Sequence, residues 1–113
     1  MLKMGIIRTL LFQIKPDADS QAVEELLVKF RALKDACVRL DTGKPYLRSV
    51  QGGPDNSPDG LQGGFTHAFV LEIENSEDRD YFVFEDAVHL KFVAESKEVV
   101  ARVHIVDFDT HTF

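Results

Sequence analysis

Residues 6–15 read Ile-Ile-Arg-Thr-Leu-Leu-Phe-Gln-Ile-Lys and have the character of a β-strand. Side chains of a strand point alternately to opposite faces of the sheet. One face carries Ile6, Arg8, Leu10, Phe12 and Ile14, and the opposite face carries Ile7, Thr9, Leu11 and Gln13. Both faces are largely apolar. The sheet therefore needs cover on both sides, and a chain of 113 residues supplies helices for only one of them.

The segment after this strand carries the clearest helix signal in the chain. Asp19 or Ser20 is suited to cap its N-terminus. Apolar residues then recur with helical spacing, and we expect this stripe to belong to the core: Val23, Leu26, Leu27, Phe30, Leu33 and Cys37. Because Cys37 is the only cysteine and lies on this stripe, no intrachain disulfide can form and a buried, unreactive thiol is expected.

The remaining segments follow in a regular order. Residues 46–51 and 65–74 are strand-like and flank a glycine-rich loop over residues 51–64, which is either a mobile lid or a variable surface loop. Ser76 is suited to cap a short helix that runs to about Tyr81, a further helix runs from near Asp86 to about Ala101, and the last strand covers residues 103–108. This order predicts an α+β, ferredoxin-like βαββαβ fold with a four-stranded antiparallel sheet.

One face of the predicted sheet is left without helices. It carries a set of apolar side chains from three strands: Ile7, Leu11, Ala68, Val70, Val106 and Phe108. An exposed apolar face of this extent indicates a partner, and the simplest partner is a second copy of the chain related by a twofold axis. We therefore expect a homodimer through the open sheet face.

The composition indicates one ordinary globular domain over residues 1–113, with 44% hydrophobic and 28% charged residues. A formal net charge of −6, without a basic patch, argues against nucleic acid or an anionic membrane as the partner. No stretch approaches the roughly eighteen continuous apolar residues of a membrane span. Without a signal peptide pattern at the N-terminus, the expected location is the cytoplasm.

Residues 81–92 read Tyr-Phe-Val-Phe-Glu-Asp-Ala-Val-His-Leu-Lys-Phe and hold the residues best suited to chemistry. Tyr81 and His89 can both move protons, and the aromatic residues around them would build a mostly dry pocket. The alternative is that His89 is a single polar residue among core aromatics and that Tyr81 serves packing. On the neighbouring strands, His67 and Asp107 each share a face with large apolar residues, and Asp107 therefore needs a partner.

Several segments in the same order resemble the stress-responsive dimeric α/β-barrel domain, the Dabb family. They are Leu-Leu-Phe-Gln-Ile-Lys-Pro at residues 10–16, Gly-Phe-Thr-His at 64–67, Ser-Glu-Asp-Arg-Asp-Tyr at 76–81, Val-His at 88–89 with Phe92, and Val-Asp-Phe at 106–108. The resemblance covers nearly the whole chain. It implies that two sheets pack face to face in a homodimer as an eight-stranded α/β barrel, with the helices outside.

The resemblance also implies a site. Characterised relatives include plant polyketide cyclases, which perform an intramolecular aldol reaction with a tyrosine and a histidine and need no metal or organic cofactor. By that resemblance Tyr81 and His89 are the catalytic pair, Asp107 orients His89, and His67 is the histidine of the third strand. The histidine common on the first strand of the family is Arg8 here, a permanent cation that can bind a carboxylate or an enolate.

Two classes of function remain open. The first is a polyketide cyclase-like lyase or isomerase that acts on a polyketide-like or aromatic keto substrate by His/Tyr acid–base chemistry. The second is a non-catalytic, stress-responsive dimer or a dimer that binds a small apolar molecule. In either case we expect the ligand pocket to be lined by Arg8, Leu10, Phe12, His67, Phe69, Phe92 and Ile105.

Overall fold

The structure is a computed structural model that describes residues 5–110. Its elements follow one another as β1 (Ile6–Ile14), α1 (Ser20–Ala36), β2 (Leu47–Pro54), β3 (His67–Ile73), α2 (Ser76–Phe84), α3 (Ala87–Ser96) and β4 (Val100–Asp109). The strands form one four-stranded sheet in the order β2-β3-β1-β4, and every neighbouring pair is antiparallel. The ferredoxin-like fold expected from the order of segments is confirmed.

Helix α1 covers the sheet with the predicted apolar stripe. Asp19 is its N-cap and accepts a 3.2 Å hydrogen bond from the backbone N–H of Ala22. Phe30, at the centre of the stripe, packs with its ring centroid 4.0 Å from that of Phe69 and 5.5 Å from that of Phe92. Cys37 is fully buried, as predicted, and burial raises the pKa of its thiol to about 12, which disfavours the reactive thiolate.

Strand β2 extends further than the glycine-rich sequence predicted. It continues through Gly52 and Gly53 to Pro54, so only part of residues 51–64 is loop. The glycine at position 52 is required by packing, because a Cβ atom there would lie 2.2 Å from Cδ1 of Phe69. The glycine-rich composition predicts a loop, but this glycine makes room for a core ring.

Two other predicted boundaries also differ from the structure. The N-cap of α2 is Asn75, whose side chain accepts a 2.8 Å hydrogen bond from the N–H of Asp78, and not Ser76. Helix α3 ends at Ser96 and not near Ala101, because Val100 already pairs with Ile14 of β1 across a register shift. The end of an apolar helix and the start of an apolar strand have similar composition, and only the pairing separates them.

The sheet face opposite the helices is open in the single chain. Leu11, Val70, Val106 and Phe108 lie on it and are between 39% and 63% exposed. The register confirms their common face, because Ile7 pairs with Phe108 while Leu11 pairs with Ala68. None of the helices within residues 5–110 is both long and apolar enough to span a membrane.

Candidate functional site

A cavity of about 250 Å³ lies between the helix-covered face of the sheet and helices α2 and α3. Its walls are almost entirely apolar, and its charged or titratable lining groups are Arg8 and His89. Five of the expected wall residues do line it: Arg8, Leu10, Phe12, Phe92 and Ile105. A site of this composition favours an apolar or aromatic ligand and strengthens any electrostatic interaction inside it.

His89 lies in the first turn of α3 and has a defined proton arrangement. Its Nδ1 is 2.8 Å from the backbone carbonyl oxygen of Phe82, and its ring stacks on the Phe82 ring with centroids 3.7 Å apart. A carbonyl oxygen can only accept, so Nδ1 carries the proton and donates it. In the neutral ring Nε2 is then left with its lone pair, which is the form that a general base requires.

The surroundings of His89 favour its neutral form. Burial is the largest cause of a pKa for His89 below its ordinary value of 6.5; the bond to the Phe82 carbonyl raises that pKa, and the nearby cation Arg8 lowers it. Burial and Arg8 thus both favour the neutral imidazole of His89, which is one of the residues that line the cavity.

Asp86 anchors the start of the helix that carries His89. It is only 2% exposed, and its Oδ1 accepts hydrogen bonds from the backbone N–H of Val88 at 2.9 Å and of His89 at 3.3 Å. Its Oδ2 accepts a 2.6 Å hydrogen bond from the hydroxyl of Tyr46. The sequence indicated a helix start near Asp86, but nothing in the sequence links it to Tyr46, which is 40 residues away.

Asp107 does not orient His89, and this expectation is wrong. Strand register places Asp107 opposite Arg8, and its two oxygens accept hydrogen bonds from Nη1 of Arg8 at 2.9 and 3.1 Å. Arg79 of α2 donates a further bond of 3.3 Å to the same carboxylate. Two permanent cations hold the carboxylate more strongly than a neutral imidazole can, and His89 uses the Phe82 carbonyl instead.

Tyr81, expected beside His89, is not among the described residues that line the cavity. Its ring packs edge-on against Tyr46, with centroids 5.5 Å apart, and lies beneath the guanidinium of Arg39 at 4.4 Å. Helix α2 continues to Phe84, and successive side chains on a helix point about 100° apart. Phe82 therefore points into the core, and Tyr81 turns toward Arg39.

The other two expected wall residues, His67 and Phe69, also lie outside the cavity lining. His67 begins β3, with its Nδ1 2.9 Å from the hydroxyl oxygen of Thr66, and burial lowers its pKa. Phe69 is 1% exposed and fills the core beneath Phe12 and Phe30. Both residues lie on the predicted face of β3, but this strand reaches the cavity through Leu71 instead.

Comparison with known proteins agrees with this architecture. The family model of the stress-responsive A/B barrel domain, Dabb, matches residues 6–110. A protein of Arabidopsis thaliana is similar in structure with a TM-score of 0.78 and 20% identity, over 96% of this chain and 97% of that chain. No curated protein matches the sequence.

Two further solved structures have the same fold. A hydroxynitrile lyase of Passiflora edulis is similar with a TM-score of 0.82 and 16% identity, over 98% of this chain and 97% of that chain. A protein of Thermobifida fusca, described as dimeric and ferredoxin-like, is similar with a TM-score of 0.70 and 20% identity, over 94% and 91% of the two chains. At these identities the likeness is one of fold. Because the family model matches almost the whole of this chain, the chain belongs to the stress-responsive A/B barrel (Dabb) family.

Proposed function

We propose that this protein is a homodimeric lyase or cyclase that removes a proton from a small apolar or aromatic keto substrate, with His89 as the general base. The observation that carries the proposal is the hydrogen bond between Nδ1 of His89 and the Phe82 carbonyl. Because Nδ1 carries the proton of the neutral ring, Nε2 is unprotonated and can accept one. The His89 ring forms part of the wall of an apolar cavity. The proton transfer needs no metal or organic cofactor.

Arg8 supplies the second part of the proposed chemistry. When Nε2 takes a proton from the carbon next to a carbonyl group, the electron pair of that C–H bond moves toward the carbonyl oxygen and an enolate forms. The Arg8 guanidinium in the same wall stabilises this negative charge, and the low dielectric of the cavity strengthens the effect. In a cyclase the enolate carbon then attacks a second carbonyl of the same molecule, and the proton returns to the new alkoxide.

Asp107 and Tyr81 have indirect roles in this proposal. Asp107 is a positioning residue, because it holds Nη1 of Arg8 with both of its oxygens. Tyr81 supports Tyr46, whose hydroxyl is bound by Asp86 at the start of α3. Neither residue needs to touch the substrate.

The proposed homodimer rests on the open sheet face. Its exposed apolar side chains come from the inner strands β1 and β3 and the edge strand β4, and their exposure in the single chain calls for cover. A second copy of the same face, packed as an eight-stranded barrel, would bury them. The structurally similar protein of Thermobifida fusca is described as dimeric, which supports the same arrangement here.

The proposal is tested by turnover. Aromatic keto acids and β-keto thioesters are incubated with the wild-type protein and with His89→Gln. Loss of a general base lowers the rate by about 10² to 10⁴-fold, while Tyr81→Phe is expected to retain most of the rate. Lys91→Gln, an exposed site two residues along the same helix, is the matched control. A substrate that His89→Gln converts at the wild-type rate contradicts the proposal.

A second candidate function is the binding of a small apolar molecule without chemistry. It is favoured by the residues at the edge of the cavity, because Leu90, Val93, Val103 and Ile105 are all between 37% and 45% exposed. A ligand that binds wild-type protein and His89→Gln equally, and is recovered unchanged from both, identifies this function.

A further inference from the structure

The guanidinium of Arg8 is buried in the cavity wall with part of its hydrogen-bonding capacity unused. The side chain is 9% exposed, and both of its bonds to Asp107 come from Nη1. Nε is buried and has no hydrogen-bond partner among the residues described. A buried N–H group without an acceptor is costly, and this donor belongs to Arg8, the one cation that residues 5–110 contribute to the cavity lining.

The counterion of Arg8 is shared with a second cation. Asp107 is shared between Arg8 and Arg79, so one carboxylate faces two guanidinium groups. Arg79 lies outside the cavity and has a second carboxylate partner in Asp80, which is 58% exposed. His89, the other titratable group of the lining, is neutral for the reasons given above. Arg8 is therefore the group that presents charge to the cavity among the described lining residues, while its counterion Asp107 lies outside that lining.

We infer that the cavity selects a small organic carboxylate, and that the substrate of the proposed reaction is a keto acid anchored by Arg8. The inference rests on the proposed function for the reaction but not for the binding. A keto acid carries its carboxylate next to its keto group, so one guanidinium can contact an oxygen of each. The apolar walls formed by Phe12, Phe92 and Ile105 accept its aryl or alkyl part.

The chemistry of such a ligand fits the two polar groups of the cavity. The carboxylate is bound before reaction, and proton removal by Nε2 of His89 creates a second negative oxygen beside it. The same cation stabilises both, so its interaction is stronger in the enolate than in the bound substrate. A neutral ligand of the same shape would offer Arg8 only a neutral acceptor, and its charged partner would remain Asp107, outside the described lining.

Binding tests the inference without requiring turnover. Benzoate and benzamide, which have nearly the same shape, are titrated into the full chain by isothermal calorimetry or by following NMR signals of the cavity residues. We expect benzoate to bind about tenfold more tightly than benzamide, because a charge-assisted pair replaces a neutral hydrogen bond. Equal affinities, or no detectable binding of benzoate, overturn the inference.

Two substitutions and one control test whether the preference for benzoate depends on Arg8. Arg8→Gln should reduce the benzoate preference to about one, and Asp107→Asn should strengthen benzoate binding because it removes the competing carboxylate. Arg48→Gln removes an equal charge from a surface pair with Glu72 and should leave the preference unchanged. If Arg8→Gln does not fold, an unchanged or weaker benzoate affinity in Asp107→Asn still overturns the inference.

The failure of this inference can be told apart from failure of the proposed function. His89→Gln should keep the benzoate preference and lose turnover. If benzoate and benzamide bind equally while His89→Gln abolishes turnover, the reaction stands and its substrate is a neutral carbonyl compound. If the benzoate preference depends on Arg8 while His89→Gln retains turnover, the carboxylate site stands and the assignment of the base is wrong.

Discussion

The hydroxyl of Tyr46 donates a 2.6 Å hydrogen bond to the buried carboxylate of Asp86. Burial, together with this bond, raises the pKa of Tyr46 above its ordinary value, so the hydroxyl stays protonated and remains a donor. The other oxygen of Asp86 caps the helix that begins with Ala87 and carries His89. The loop before β2 and the start of α3 are thus joined at one buried charge, close to the proposed base.

The hydrogen bond between Tyr46 and Asp86 should contribute measurably to the free energy of unfolding. Tyr46→Phe leaves a buried carboxylate oxygen without its donor, and we expect a loss of about 1.5 to 3 kcal/mol in the free energy of unfolding. Urea denaturation of both proteins at neutral pH measures the difference. Tyr81→Phe, which keeps the neighbouring ring of the same edge-on pair, is the control and should change stability little. Equal stability of Tyr46→Phe and wild type contradicts a structural role for the bond.

Acid should destabilise the protein because of two half-buried histidines, His67 and His89. The pKa of His89 is lowered by burial, so below its ordinary value of 6.5 the unfolded chain binds a proton that the folded chain does not. The contribution of His89 to stability is fully present above pH 6.5 and decreases as the pH falls toward the folded pKa of His89. The pKa of His67 is also lowered by burial, so His67 contributes in the same direction. The measurement is the free energy of unfolding in urea between neutral and mildly acidic pH.

The variant His89→Gln isolates the contribution of one ring to that pH dependence. Its stability should decrease less than that of wild type over the same pH interval, because one of the two titrating groups has been removed. A pH dependence identical to that of wild type would show that His89 keeps an ordinary pKa in the folded protein.

The two adjacent glycines of β2 should respond differently to the same substitution. In Gly52→Ala the new Cβ would lie 2.2 Å from Cδ1 of Phe69 and 2.5 Å from the backbone oxygen of Ala68, so the core must shift. We expect a loss of about 1 to 3 kcal/mol, the usual range for overpacking. Gly53→Ala is the matched control, since no atom lies within 4 Å of its Cβ position. Similar melting temperatures for the two variants contradict the packing role of Gly52.

The proposed dimer interface predicts a difference between two valines of similar exposure. Val106 on the open sheet face is 63% exposed, and Val28 on the outer side of α1 is 61% exposed. Val106→Glu places a charge in the proposed interface and should convert dimers to monomers in sedimentation velocity, because burying an unpaired charge is costly. Val28→Glu should leave the dimer intact. A wild-type chain that sediments as a monomer, or a Val106→Glu variant that remains dimeric, contradicts the proposed interface.

The fold could be predicted from the sequence because strand and helix periodicities are local properties. The alternation in residues 6–15 placed Arg8, Leu10 and Phe12 on the helix-covered face and Leu11 on the open face, as the structure shows. The wrong boundaries lie where two local signals compete. Gly52 carries a loop signal inside a strand, and Val100 continues the apolar character of the helix before it.

The candidate site was less predictable because its contacts join residues far apart in the chain. His89 was found from its helical spacing, but its partner is the carbonyl of Phe82, and a backbone acceptor leaves no trace in side-chain identity. The sequence correctly predicts that Asp107 needs a partner, but that partner is Arg8, 99 residues away, which strand register places opposite it. Whether Tyr81 or Phe82 faces inward depends on the rotation of α2, which a short helix with several aromatic residues does not specify.

The central claim is that His89 presents an unprotonated Nε2 to the cavity, and nitrogen NMR of the imidazole ring tests it most directly. In wild-type protein labelled with ¹⁵N at its histidines, the account predicts that at neutral pH His89 shows a protonated Nδ1 and an unprotonated Nε2. A spectrum in which His89 is an imidazolium, or carries its proton on Nε2, would contradict the account, because the ring could then not accept a proton at the cavity wall.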